Sequence, residues 1–295
     1  MVARSQGGPN AGYTLYVDGK KIVHHQIPSG IFRENKINLI GNGVVLDAVI
    51  LKKECEAVSS FGVDSPKSLY ISERTHLILP THRAIDRASE AAKGHDKIGS
   101  TLKGISPAYM DKTGRNGLRV GDLLGNDFQK KYAQLRKKHQ QILDNFSFNE
   151  DISDAESEFF EALEFLKSLQ IVNGEYFIND AIANGKKILA EGAQGSMLDV
   201  DFGTFPFVTS SNTITAGVCS GLGISPQKIR EVIGITKAYC TRVGSGPFPT
   251  ELYDEMGEFI RQGGGEFGSG TGRPRSCGWI DLVAVNLCWT ISLGT

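Results

Sequence analysis

Short apolar segments alternate with amphipathic ones along most of this chain, with glycine at the joints, and that alternation constrains the fold more than any other feature. Residues 37–40 (INLI) read as a buried strand running into Gly41-Asn42-Gly43, and Asp47 is placed to cap a helix over residues 48–59. Residues 68–72 form a second strand, 83–92 a helix that stops at Gly94, and 187–191 a third strand. Ser225-Pro226 opens a further helix as cap and first-turn proline, and residues 232–239 read as a strand or a buried helix. Near the start, Asp18-Gly19 joins 14–17 to 21–23 as a hairpin turn, because both turn residues tolerate positive φ. From Asn126 to about Leu169 helix formers take over, first basic (Lys130 to His139) and then acidic (Glu150 to Glu164). Surface pairing between those two stretches is expected. The pattern predicts an α/β fold with a large, mainly parallel central sheet flanked by helices. It predicts one domain over 1–295, with a helical subdomain inserted at about 81–185.

Composition narrows the partners. A formal charge of −1, with 22% charged and 40% apolar residues, gives no reason to expect a nucleic-acid or membrane partner. Five widely spaced cysteines without a CxxC suit reduced thiols better than a disulfide framework or a metal site. No apolar run approaches the roughly 18 residues that span a bilayer. The expectation is a cytoplasmic protein.

Five loops carry residue types suited to anionic small molecules. They are residues 6–14 (QGGPNAGYT), 98–109 (IGSTLKGISPAY), 191–201 (EGAQGSMLDVD) running into 208–212 (VTSSN), 241–250 (TRVGSGPFPT) and 263–278 (GGGEFGSGTGRPRSCG). The last holds seven glycines, one acid and two arginines, Arg273 and Arg275. Glycine disfavours helix and central strand there, and arginine offers a planar fork of donors to carboxylate or phosphate. Each loop alone is also compatible with a solvated turn. Together, at the strand ends of an α/β sheet, they favour a polyanion site.

In order and spacing, QGGPNAGYT, IGNGVVLD, EGAQGSMLDVD, VTSSN, KAYCTRVGSGPFPTEL and EFGSGTGRPRSCGWID resemble the adenylosuccinate synthetases. The resemblance implies a sheet related to the P-loop GTPases and a homodimer with composite active sites. It implies ligation of L-aspartate to inosine monophosphate (IMP) with GTP and Mg²⁺, through a 6-phosphoryl intermediate, in AMP biosynthesis. By the same resemblance, Asn10, Ala11, Gly12, Tyr13, Thr101, Gln194, Thr209 and Arg273 match IMP contacts, and Arg115 matches one made to the neighbouring subunit's nucleotide. Ser269, Gly270, Thr271, Gly272, Arg273, Pro274 and Arg275 match the aspartate loop. Gly12, Tyr13, Thr14 and Arg275 match GTP contacts, with the Gly12 carbonyl on Mg²⁺. Read singly, Thr209 could end a strand, Gln194 could satisfy backbone and Arg115 could make a surface pair.

Four departures temper what the resemblance implies. The family's Gly-Asp-Glu-Gly-Lys-Gly-Lys loop, source of its catalytic aspartate, is not among these residues, and neither is its Thr-Lys-x-Asp guanine-recognition stretch. That predicts an incomplete sheet. Tyr13 stands at the position of the family's general-acid histidine, and a phenol with pKa near 10 is the poorer proton donor at neutral pH. Leu102 and Ser106 replace glycines, at a cost of roughly 1–2 kcal/mol wherever φ is positive. The departures predict impaired catalysis, with an IMP-binding pseudoenzyme or an inactive fragment as the alternative.

Overall fold

The computed structural model describes residues 1–17, 19–268 and 272–293. Its strands are β1 (Val2–Arg4), β2 (Tyr13–Val17), β3 (Lys20–His24), β4 (Asn38–Ile40), β5 (Val45–Leu46), β6 (Leu69–Ser72), β7 (His76–Leu77), β8 (Gln170–Val172), β9 (Leu189–Glu191), β10 (Tyr239–Arg242) and β11 (Ser276–Trp279). Its helices are α1 (Ala48–Ser59), α2 (Ser65–Ser68), α3 (Pro80–Ala92), α4 (Ile105–Gly114), α5 (Phe128–Asn145), α6 (Ser153–Leu166), α7 (Gly174–Ala183), α8 (Ala216–Leu222), α9 (Glu255–Gly263) and α10 (Leu282–Ser292).

The central sheet runs β8-β6-β4-β1-β9 and every pair in it is parallel, as the alternation predicts. Strand alternation sends side chains to two covered faces, so its middle strands are apolar on both. Ile40, Leu69 and Ile71 point into a core with Leu51 and Val58 of α1 and Leu163 and Leu166 of α6. Ala3, Leu39 and Tyr70 point the other way, against Ile178 of α7 and Leu222 of α8. Tyr70 stacks on Phe177 at 4.8 Å between ring centroids.

Local signals held where they were local. Asp47 caps α1 by accepting from the Ile50 N–H at 3.0 Å, and the hairpin pairs Tyr13 with His24, its turn residue Asp18 lying outside the described residues. Helix α3 starts at Pro80 rather than Arg83, because Nδ1 of His82 accepts from the Leu79 N–H at 2.9 Å and closes the first turn. The basic and acidic helices α5 and α6 meet through Arg136 and Glu156 at 2.6 Å. The other charges turn elsewhere: Glu161 and Glu158 reach Lys52 and Lys53 of α1, and Lys131 reaches Asp122.

Two expectations fail on the stretch after Ser225. Pro226–Lys228 is a single 3-10 turn, and no helix or strand follows it before Tyr239. Ile233 and Ile235 are 73% and 95% exposed. A short apolar run forms a strand only beside a partner strand, and among the described residues none lies against this segment.

Candidate functional site

The loops after β1 and β9 leave the carboxyl edge of neighbouring parallel strands, the place where α/β sheets present ligands. Gln6 Nε2 donates to the Ala193 carbonyl at 2.7 Å, and Ser211 Oγ donates to Gln6 Oε1 at 2.8 Å. Above this buried bridge, Gln194 Nε2 donates to Asn10 Oδ1 at 3.0 Å, and Asn10 Nδ2 donates to Thr209 Oγ1 at 3.4 Å. Asn10, Gln194 and Thr209, distant in sequence, therefore form one hydrogen-bonded constellation. Gln194 sits at φ +63°, and its Oε1 is buried without a hydrogen-bond partner, an acceptor of the kind a ligand N–H satisfies. Gly7 has φ +87°, and a Cβ there would press on Ala193 and on the Gln194 amide at 3.2 Å. Gly43 and Gly221 are also required, because a Cβ on either collides with the Ser5 carbonyl oxygen.

Thr209 is presented by a carboxylate that sequence reading did not single out. Asp199 is fully buried, and its Oδ1 accepts from the N–H groups of Asp201 and Phe202. Its Oδ2 accepts from those of Thr213 and Ile214. Both flanks of the 203–212 loop thus hang on one side chain.

The 98–104 loop is pinned by α3. Asp86 accepts from Ser100 Oγ (2.7 Å) and the Gly104 N–H (2.9 Å), and Glu90 accepts from the Gly99 and Ser100 N–H groups. Burial pushes the Glu90 carboxyl up, but those backbone bonds and Lys93 hold it below its ordinary value overall. Thr101 remains exposed at the tip. Leu102 has φ +56°, as expected of a glycine position. Ser106 instead lies in α4 and accepts from Ser210 Oγ at 2.8 Å, tying this loop to the Thr209 loop. Gly244 packs on Gly99, and a Cβ on Gly99 would lie 4.0 Å from Arg273 Nη1, so Arg273 reaches the loop that carries Thr101.

Ala11 and Gly12 lead into β2, where Thr14 is exposed. The Tyr13 hydroxyl donates to the Ile27 carbonyl, whose turn is fixed by Glu54 accepting from the His25, Gln26 and Ile27 N–H groups. The Tyr13 ring lies under the Arg4 guanidinium at 5.6 Å. Burial, then the nearby Glu191, push the phenol above its usual range. Its proton is committed to the backbone.

Two predicted residues lie apart from this constellation. Arg115, at φ +62° on the end of α4, lines a separate cationic groove with His76, Lys112, Arg119 and Lys138. Burial lowers the Lys112 amine to about 8. Arg275 turns onto Glu266, with Nη1 to Oε2 at 2.8 Å. Gly272 has φ +64° and Pro274 pairs with Phe267, whereas Ser269, Gly270 and Thr271 lie outside the described residues.

His82, Asp111 and His139 bring ligand atoms within 4.8 Å of one another, a spacing a metal could use. Their hydrogen bonds argue otherwise. Because His82 Nδ1 accepts from Leu79, the neutral ring carries its proton on Nε2 and donates it to Asp111 at 2.9 Å. A metal at that nitrogen would require an imidazolate or the loss of the helix cap. His139 Nε2 meets the same oxygen at 2.7 Å, so the cluster clasps α3, α4 and α5 together. Nor does it suit Mg²⁺, which prefers oxygen ligands.

Comparison with known proteins identifies this architecture. A family model for adenylosuccinate synthetase matches residues 1–294. The chain belongs to the adenylosuccinate synthetase family. It is 59% identical to the adenylosuccinate synthetase of Parabacteroides distasonis over 285 residues, 97% of this chain and 67% of that protein. Against the Flavobacterium johnsoniae enzyme it is 59% identical over 287 residues, covering 97% and 68%. The fully ligated adenylosuccinate synthetase of Plasmodium falciparum superposes with a TM-score of 0.86 at 40% identity, over 95% of this chain and 66% of that one. A cyanophage S-2L succinoaminodeoxyadenylate synthetase, bound to dGMP and dATP, shares the fold at 22% identity and a TM-score of 0.69, over 99% of this chain and 73% of that one. The chain thus spans about two thirds of the length of the synthetases it matches. No helix among the described residues is long and apolar enough to cross a membrane.

Proposed function

We propose that this chain carries the IMP and aspartate side of an adenylosuccinate synthetase site, serving GTP-dependent ligation of L-aspartate to IMP through 6-phosphoryl-IMP. The observation that carries the reading is the Asn10–Gln194–Thr209 constellation at the carboxyl edge of the sheet. Asn10 and Thr209 offer donors to phosphate and ribose oxygens, and Gln194 offers an unsatisfied carbonyl to a purine N–H. Thr101 at its loop tip and Arg273 beside that loop add a hydroxyl and a cation. Phosphoryl transfer is mostly positioning and charge neutralisation, which suits such residues. Ala11, Gly12, Tyr13 and Thr14 would border the IMP and GTP phosphates. The Gly12 carbonyl is a hard oxygen of the type Mg²⁺ takes, and it would help hold an ion that neutralises phosphate charge. Gly272 to Arg275, with Ser269 to Thr271, would receive aspartate.

We further propose a cytoplasmic homodimer in which Arg115 and its cationic groove face the neighbouring subunit's nucleotide, and a helical subdomain within 81–185. Coupled turnover of IMP, aspartate and GTP by the intact chain tests the reading. Turnover below that of the synthetases it matches is expected, because the Tyr13 hydroxyl is already committed to the Ile27 carbonyl, and no binding of IMP at millimolar concentration would end the reading. The second reading, nucleotide binding without turnover, is favoured by Tyr13, whose proton already goes to the Ile27 carbonyl.

A further inference from the structure

Of the charged groups around Glu266, Arg275 belongs to the loop already described, whereas Glu266 itself and Lys237 have been given no role. Glu266 is the lone acid of the glycine-rich run, and its side chain is only 4% exposed. Three donors from two segments, residues 237–239 and Arg275, converge on it. Oε1 accepts from Lys237 Nζ and from the Tyr239 hydroxyl, each at 2.6 Å, and Oε2 accepts from Arg275 Nη1 at 2.8 Å. The backbone closes around the same residue. The Arg275 N–H donates to the Glu266 carbonyl at 3.0 Å, Phe267 pairs with Pro274, and the Gly268 N–H donates to the Arg273 carbonyl at 2.8 Å. Glu266 thus stands where the loop bearing Arg273 and Arg275 leaves and re-enters the body.

The orientation of Arg275 follows from this. A guanidinium has five N–H donors in a rigid fork. Nη1 is taken by Glu266, and Nε is buried with no hydrogen-bond partner. A carboxylate is received best by two parallel N–H groups of the fork, and the edge that includes Nε is the one left unmatched. Two cations, Lys237 and Arg275, against one carboxylate leave the cluster net positive, so it still attracts an anion.

We propose that Glu266 is a positioning residue: its buried carboxylate holds Arg275 by Nη1 and aims the Nε edge of the guanidinium at a carboxylate of the amino-acid substrate. The proposal rests on the preceding reading of the loop as the aspartate site. Glu266 touches no substrate and acts through Arg275.

The test follows the Arg275 Nε–H signal by ¹⁵N NMR, assigned with Arg275→Lys, while L-aspartate is added with and without IMP and GTP–Mg²⁺. Calorimetry with IMP on the same samples reports separately on the functional reading. Glu266→Gln should raise the half-saturating aspartate concentration about tenfold, the scale of one charge-assisted contact, with IMP affinity held within about twofold. Tyr239→Phe, which removes one donor and leaves the carboxylate in place, should shift aspartate in the same direction by a smaller factor. Unchanged aspartate response in Glu266→Gln would overturn the proposal, as would equal losses of aspartate and IMP, which mark a merely structural role. A wild-type Arg275 signal that ignores aspartate would overturn it too.

Discussion

Asp199 offers the sharpest test of how the Thr209 loop is built, because a nearly isosteric change should be severe. In Asp199→Asn one oxygen remains an acceptor while the amide turns its N–H₂ onto two backbone N–H groups. Those are either the Asp201 and Phe202 pair, at 2.9 and 3.2 Å, or the Thr213 and Ile214 pair, at 2.6 and 3.2 Å. Hydrogen bonds to a charged group are each worth about 1.5–3 kcal/mol net, so losing two gives an upper bound of ~3–6 kcal/mol. Relaxation of the loop and entry of water reduce this, and a loss of about 2–4 kcal/mol is expected. Asp199→Ala should cost at least as much as Asn, since it removes all four acceptor contacts instead of two. Urea unfolding at neutral pH measures the loss, and amide exchange at residues 201, 202, 213 and 214 locates it. Thr209 lies between the two anchored segments, so IMP affinity should fall as well. A loss below about 1 kcal/mol in Asp199→Asn would refute the reasoning.

The remaining predictions concern strain and acid. Leu102 is left-handed and 40% exposed, so Leu102→Gly should gain up to about 1 kcal/mol in a urea titration; a clear loss would show that its side chain is packed. His76 is lowered from 6.5 to about 4, first by burial and then by Lys112 and Arg119. The unfolded chain therefore binds more protons between those values, and the contribution, about 3 kcal/mol, is complete above pH 6.5 and is lost as pH falls towards 4. His24 and His82 shift in the same direction through burial, while hydrogen bonds from His139 and His82 hold Asp111 well below its ordinary value against burial. Urea midpoints should drop across that window, and a flat profile from pH 7.5 to 4.5 would contradict the buried neutral histidines.

How much of this was legible in the sequence depends on the range of the forces involved. The Asp47 cap, the Tyr13–His24 hairpin and the parallel order of the sheet follow from local propensity and strand patterning, and all were readable. Leu102 was readable through family likeness, because a left-handed position leaves its mark as a missing glycine. Ser106 was misjudged for the same reason: the position is helical here, and the added hydroxyl gains a partner in Ser210. Residues 232–239 misled because an apolar run records a burial that only a partner can supply. Gln6 and Ser211 lay within motifs, yet their pairing spans 205 positions and no local signal announces it. Glu266 was visible only as a lone acid, since the donors that explain it, Lys237 and Tyr239, lie outside its own loop.

The central claim is that Asn10, Gln194 and Thr209 form an IMP pocket joined by Arg273. Calorimetric titration of IMP into the intact chain, alongside Thr209→Ala and Arg273→Ala, tests it most directly. The account predicts one site per chain, weakened roughly 5- to 100-fold in each variant, as expected for the loss of one polar or charge-assisted contact. Binding of equal strength in all three proteins would contradict it, and so would the absence of binding by the intact chain.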